Sequence, residues 1–293
     1  MLAKAAYSMS ALFVRTLTGS LRSRRLAAAS IVLGVVLLVG SWIFGQAALA
    51  GPENGTGEAP LWQRGTDGAL TAFSFAILPL ALPLLPAALV TRNLQRDLSR
   101  GDFELVMSKP IPAAGAALGK SAGMFAAIAI PLVPLSAASA LLIQLVAGTP
   151  VDGGLVVGFV GSNLVLAALY LLLALVIGTF LGPRDLPAVV LLAWIGFNLL
   201  SPMAFVLLGQ FIGFLPMQDP NLFRLTWTDA FSFTGIYHGL LAAYVPAGLG
   251  IVTLPDAPSA GSVTTLLLQW APLAWTLALL TLYSLLLRRI PNR

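Results

Sequence analysis

Uninterrupted apolar runs of 20 or more residues recur along this chain, and none carries an Asp, Glu, Lys or Arg deep inside it. A helix rises 1.5 Å per residue, so about 20 residues cross a hydrocarbon core about 30 Å thick. Backbone groups in lipid need internal partners, which makes helices the natural form for such runs. With 58% of its 293 residues hydrophobic and 9% charged, the chain does not fit a soluble globular domain. The expected fold is all-α: a polytopic membrane bundle forming one permease-like domain over residues 1–293.

Hydropathy places six spans, at 26–50, 69–91, 121–147, 155–181, 186–212 and 263–287. The stretch 231–254 is apolar too, but Gly235, Gly239, Pro246, Gly248 and Gly250 interrupt it. It reads as short helices lying at the interface within an extracytoplasmic segment, 213–262. Lys and Arg then fix the expected orientation, because cytoplasmic loops carry their excess. Lys4, Arg15, Arg22, Arg24 and Arg25 precede span one. Arg92, Arg96, Arg100, Lys109 and Lys120 follow span two, Arg184 follows span four, and Arg288, Arg289 and Arg293 close the chain. That assigns 14 of 16 basic residues to one side and leaves Arg64 and Arg224 opposite. Both termini are therefore expected in the cytoplasm. The excess of positive charge is accounted for by topology and anionic lipid head groups, with no need for nucleic acid.

Two motifs suggest other readings. Ala48-Leu49-Ala50 has the small-residue form of a signal-peptidase site, but the apolar run before it is about twice a signal core, so span one reads as a retained anchor. Ala114 to Ser121, AGAALGKS, satisfies a permissive phosphate-loop pattern. A working phosphate loop joins a buried strand to a helix in a soluble α/β domain. Here it runs straight into a span, so Lys120 is not expected to hold nucleotide.

Absences narrow the function further. The chain has no Cys and one His, which removes disulfides, thiolate chemistry and His-cluster metal sites. Ion-driven carriers usually place ionisable residues at mid-membrane, and none is found there. Ser136, Asn163, Asn198 and Gln269 read as interhelical hydrogen-bonding partners in preference to catalysts. Pro79, Pro83 and Pro86 in span two, with Pro131 and Pro134 in span three, remove backbone hydrogen bonds and are candidate hinges.

The most informative segment joins spans two and three, the loop 92–120. Leu94, Leu98, Leu105 and Val106 recur near helical spacing among Asp97, Arg100, Asp102 and Glu104, as in a short surface helix. Residues 5–20 are moderately amphipathic and are expected to lie in the membrane interface before span one.

At Arg100-Gly101-Asp102-Phe103-Glu104-Leu105-Val106-Met107-Ser108-Lys109-Pro110, followed by Leu118-Gly119-Lys120, the sequence resembles the permease subunits of type-2 ABC transporters. Asp102 stands where that family usually has Thr, and the stretch before Arg100 is less acidic than usual. The resemblance covers about 25 residues, and the six-span layout with both ends inside agrees with it. It implies a dimer of permease chains, as a homodimer or a related heterodimer. It implies also two cytoplasmic ATPase subunits that hold ATP and Mg, no cofactor on this chain, no enzymatic activity of its own, and export across the inner membrane. Asp97, Arg100, Gly101, Glu104, Leu105, Val106 and Lys109 would form the coupling helix, with Arg184 and Asp185 as a second contact. A narrower resemblance, to the permease of the nitrous oxide reductase maturation system, implies transmission of ATPase motion to a periplasmic partner. An ATPase-independent membrane enzyme or scaffold is the remaining alternative.

Overall fold

The computed structural model describes residues 2–50, 63–99, 112–181, 230–246 and 263–289. The expected span 186–212 lies outside them. Eight helices make up these segments: α1 (Leu2–Leu21), α2 (Arg24–Ala50), α3 (Gly65–Ala81), α4 (Leu84–Ser99), α5 (Ala113–Ala147), α6 (Gly153–Leu181), α7 (Phe233–Ala242) and α8 (Val263–Arg289). Five stretches among them are long and apolar enough to cross a membrane: α2, α3 with the first half of α4, α5, α6 and α8. The chain is thus a multi-pass membrane protein, helical over its described residues.

Close approaches give the helix directions. Gly34 of α2 faces Leu135 of α5 and Gly45 faces Val146, so these two helices run parallel. Gly40 of α2 meets Phe73 of α3, an approach made possible by the missing Cβ, and Phe44 packs edge-on to the same ring at 5.8 Å. Helices α3 and α6 enter from the end where α2 and α5 finish. At that end the Thr66 hydroxyl donates to the Thr149 carbonyl at 3.1 Å, and the Asp152 N–H donates to Asp67 Oδ1 at 2.9 Å. Asp152 in turn accepts the Gly154 N–H at 2.7 Å and caps α6. Gly148, at φ 76°, ends α5 in the left-handed conformation, its N–H returning to the Gln144 carbonyl.

The other end gathers the α1–α2 turn, the C-terminus of α4, the N-terminus of α5 and the C-terminus of α8. Arg22, Arg24, Arg25 and Arg288 are exposed there, so it is called the basic end below. Ser23 starts α2 by accepting the Leu26 N–H at 3.3 Å.

The second span and α6 are the most enclosed of the five, α2 and α8 the least. Ile31, Val35 and Trp42 on α2, and Trp270, Leu273 and Leu277 on α8, point away from the bundle, as lipid-facing side chains do. Six hydroxyls inside the spans bond within their own helices: Thr71, Ser74, Thr91, Ser139, Thr179 and Thr276 each donate to the carbonyl four residues earlier. That pattern lets polar side chains sit in an apolar environment without a second helix to satisfy them.

Candidate functional site

The second span is two helices. Pro83 cannot supply the N–H that would bond the Pro79 carbonyl, and its ring crowds the preceding turn. Helix α3 therefore stops at Ala81, with the Leu82 N–H still bonded to the Leu78 carbonyl at 2.9 Å, and α4 starts again at Leu84. Pro86 falls in the first turn of α4, where a missing N–H costs nothing. Because it cannot bond the Leu82 carbonyl, the Leu85 N–H takes that acceptor in a tighter turn at 3.4 Å. Pro79, by contrast, lies inside α3, and Pro131 and Pro134 lie inside a continuous α5. Of the five candidate hinge prolines, only Pro83 coincides with an interruption of helix.

Below the break, α4 carries the chain to the basic end and reaches Ser99. Asp97 lies on α4. Arg100, Gly101, Glu104, Leu105, Val106, Lys109, Arg184 and Asp185, together with Asn198, are outside the described residues. Helix α5 opens at Ala113, eight residues before the expected start of span three, so Ala114 to Ser121 are helical. The phosphate-loop pattern is therefore the first turns of a long helix at the basic end, with Lys120 buried in it. At 35 residues α5 is about 52 Å long, well beyond a hydrocarbon core of about 30 Å.

The surplus length of α5 at the basic end is held by α1. A Cβ on Gly119 would lie 3.0 Å from the Met9 carbonyl oxygen, and one on Gly123 would lie 2.7 Å from that of Phe13 and 2.9 Å from Thr16 Cβ. Two glycines four residues apart thus let the backbones of α1 and α5 touch. The expectation for residues 5–20 was a helix lying on lipid; the helix is present, and one face of it is taken up by α5. Asn93 of α4 adds a tie, its Nδ2 donating to Ser20 Oγ at 3.1 Å. The two helices that flank residues 100–112 are thereby joined to α1. The signal for the α1–α5 contact was the Gly119-x-x-x-Gly123 spacing, which the phosphate-loop pattern masked.

Above the break, α3 meets α7. Sequence alone suggested interfacial helices for this region, but α7 is inside the bundle. Phe233, Ile236, Tyr237 and Leu241 are almost completely buried. Phe233 packs edge-on to Tyr170, near the middle of α6, at 5.3 Å and to Trp275, near the middle of α8, at 5.6 Å. The Trp275 indole N–H donates to the Ala230 carbonyl at 3.1 Å, and Ser232 caps the helix through the Gly235 N–H. At its other end, Tyr244 lies against Gly158, close to the start of α6. Helix α7 therefore runs from the mid-depth of its neighbours toward the opposite end. Gly239, one of the residues read as interruptions, allows close approach of Leu268 on α8. At Gly239, what looked like helix breaking is helix packing; Gly248 and Gly250 lie outside the described residues.

The interior holds a second polar contact, between α5 and α6: Asn163 Nδ2 donates to Ser136 Oγ at 3.0 Å, with both side chains fully buried. This is the interhelical role expected for them. Gln269 is exposed on α8. Among the described residues, no group of three His, Cys, Asp or Glu side chains is arranged to hold a metal ion.

No family model matches the chain, and no curated protein matches its sequence.

Proposed function

We propose that this chain is the membrane-spanning subunit of an ATP-driven transporter, with its basic end in the cytoplasm and a sixth crossing within 186–212. Separate ATPase subunits, two per dimer of permease chains, would act on the segment between α4 and α5 and drive export across the inner membrane. The observation that carries the reading is how that segment is mounted. Helix α4 leads from it, through the Leu82–Pro83 interruption, to the centre of the bundle, while α5 and α1 brace its other side. A push on a surface helix does work only if the helices attached to it are stiff; a loose loop would absorb it. Residues 100–110 also carry the charge and apolar pattern that resembles an ATPase-coupling helix. In this reading Glu104 and Arg100 make polar contacts with the ATPase, Leu105 and Val106 anchor the coupling helix, Gly101 permits close approach, and Asp97 and Lys109 bound it. Arg184 and Asp185 supply a second contact.

Glu104→Lys tests this assignment. The account expects the complex to assemble weakly and the ATPase to lose its stimulation by the permease; an unchanged complex with unchanged turnover contradicts it.

One observation favours a second reading. Helix α7 belongs to the segment expected outside the cytoplasm, and it is seated on the same span that reaches the coupling region. Such a seat suits transmission of movement to a periplasmic partner, with no solute carried through the chain.

A further inference from the structure

In an unbroken helix the Phe75 carbonyl would accept the N–H of residue 79, and Pro79 has none to give. The Phe75 N–H is already directed back along α3 toward Thr71, so the carbonyl is the backbone group left for an outside partner. The His238 imidazole, on α7, hydrogen-bonds the Phe75 backbone. Its ring also lies against the Phe75 ring, with centroids 4.3 Å apart, and the neighbouring Tyr237 is buried against Ser74. His238 is the sole histidine in the chain. A Leu or Phe would fill the same space without the cost of burying a polar ring, so packing alone gives no reason for an imidazole here.

We propose that His238 is a positioning residue: it donates to the Phe75 carbonyl that Pro79 leaves open, and so latches α7 to the half of the second span above the break. The latch makes α3 and α7 one body. Movement of α4 is then taken up at Leu82–Pro83, and α7 follows α3. The inference rests on the fold and stands or falls independently of the transporter reading.

The test is hydrogen exchange on the full chain in lipid nanodiscs, without any ATPase. His238→Phe keeps an aromatic ring and removes the donor; amides of α7 should exchange about five- to ten-fold faster, the loss expected for one hydrogen bond. His238→Gln keeps an N–H donor and should recover at least half of the lost protection. Pro79→Ala restores an in-helix partner for the Phe75 carbonyl, so adding His238→Phe to it should cause little further change. Wild-type exchange in His238→Phe overturns the proposal. So does His238→Gln behaving no better than His238→Phe, including failure of both to fold, and so does simple addition of the Pro79→Ala and His238→Phe effects.

Discussion

At the scale of single residues, the described interior is apolar with a few polar side chains. Several bond on their own or a neighbouring helix, while among the described residues the buried Ser41 hydroxyl makes no hydrogen bond and Asn163 Oδ1 accepts none. Asn163 Nδ2 and Ser136 illustrate the bonded case. Interhelical hydrogen bonds of this kind contribute about 0.6 kcal/mol on average and rarely more than about 1.7. Asn163→Ala should therefore lower unfolding stability in detergent by about 0.5–1.5 kcal/mol while leaving the proposed ATPase stimulation intact. A loss of that stimulation out of proportion to stability would contradict a purely structural role for the pair. This pairing was legible from sequence, because a lone Asn in an uncharged span has few ways to be satisfied except by another helix. The role of His238 was not legible. It depends on a carbonyl released by Pro79, more than 150 residues away in the chain, and no local pattern joins the two.

At the scale of helices, the five described spans followed from hydropathy to within a few residues at most ends, because length and apolarity alone decide whether a helix can cross. The exceptions have physical causes. Helix α5 begins early because Gly119 and Gly123 give it a protein surface, α1, to continue against once it leaves lipid. Helix α7 is buried because the face formed by Phe233, Ile236, Tyr237 and Leu241 finds partners on α3, α6 and α8, contacts a single segment cannot announce. Among the five candidate hinge prolines, all within the described residues, Pro83 alone coincides with an interruption, and sequence could not rank them. The α1–α5 clamp makes a prediction at this scale. Gly123→Leu places a side chain where the Phe13 carbonyl stands, a conflict of the kind that costs about 1–3 kcal/mol. Amides of α1 should lose protection from hydrogen exchange while α6 and α8 keep theirs. Unaltered protection of α1 would mean that the contact does not hold it in place.

At the scale of the whole molecule, the two ends differ in character. One carries exposed arginines, α1 and the helices that flank residues 100–112; the other is pinned by Thr66, Asp67, Thr149 and Asp152. Between them runs one mechanical line, from α4 through the Pro83 interruption to α3 and, by way of His238, to α7. The exposed Arg22, Arg24, Arg25 and Arg288 fall at a single end. The contacts proposed for Glu104 and Arg184 belong to an assembly with another protein, and the resemblance of a short motif is what supports them.

The central claim is that this chain works as a partner to a separate ATPase, and purification of the tagged chain from native membranes in mild detergent tests it most directly. The account predicts a stoichiometric ATPase subunit in the purified complex, with ATP hydrolysis that falls when Glu104 is changed to Lys. A chain that purifies without an ATPase and hydrolyses nothing would contradict the account and favour a membrane enzyme or scaffold.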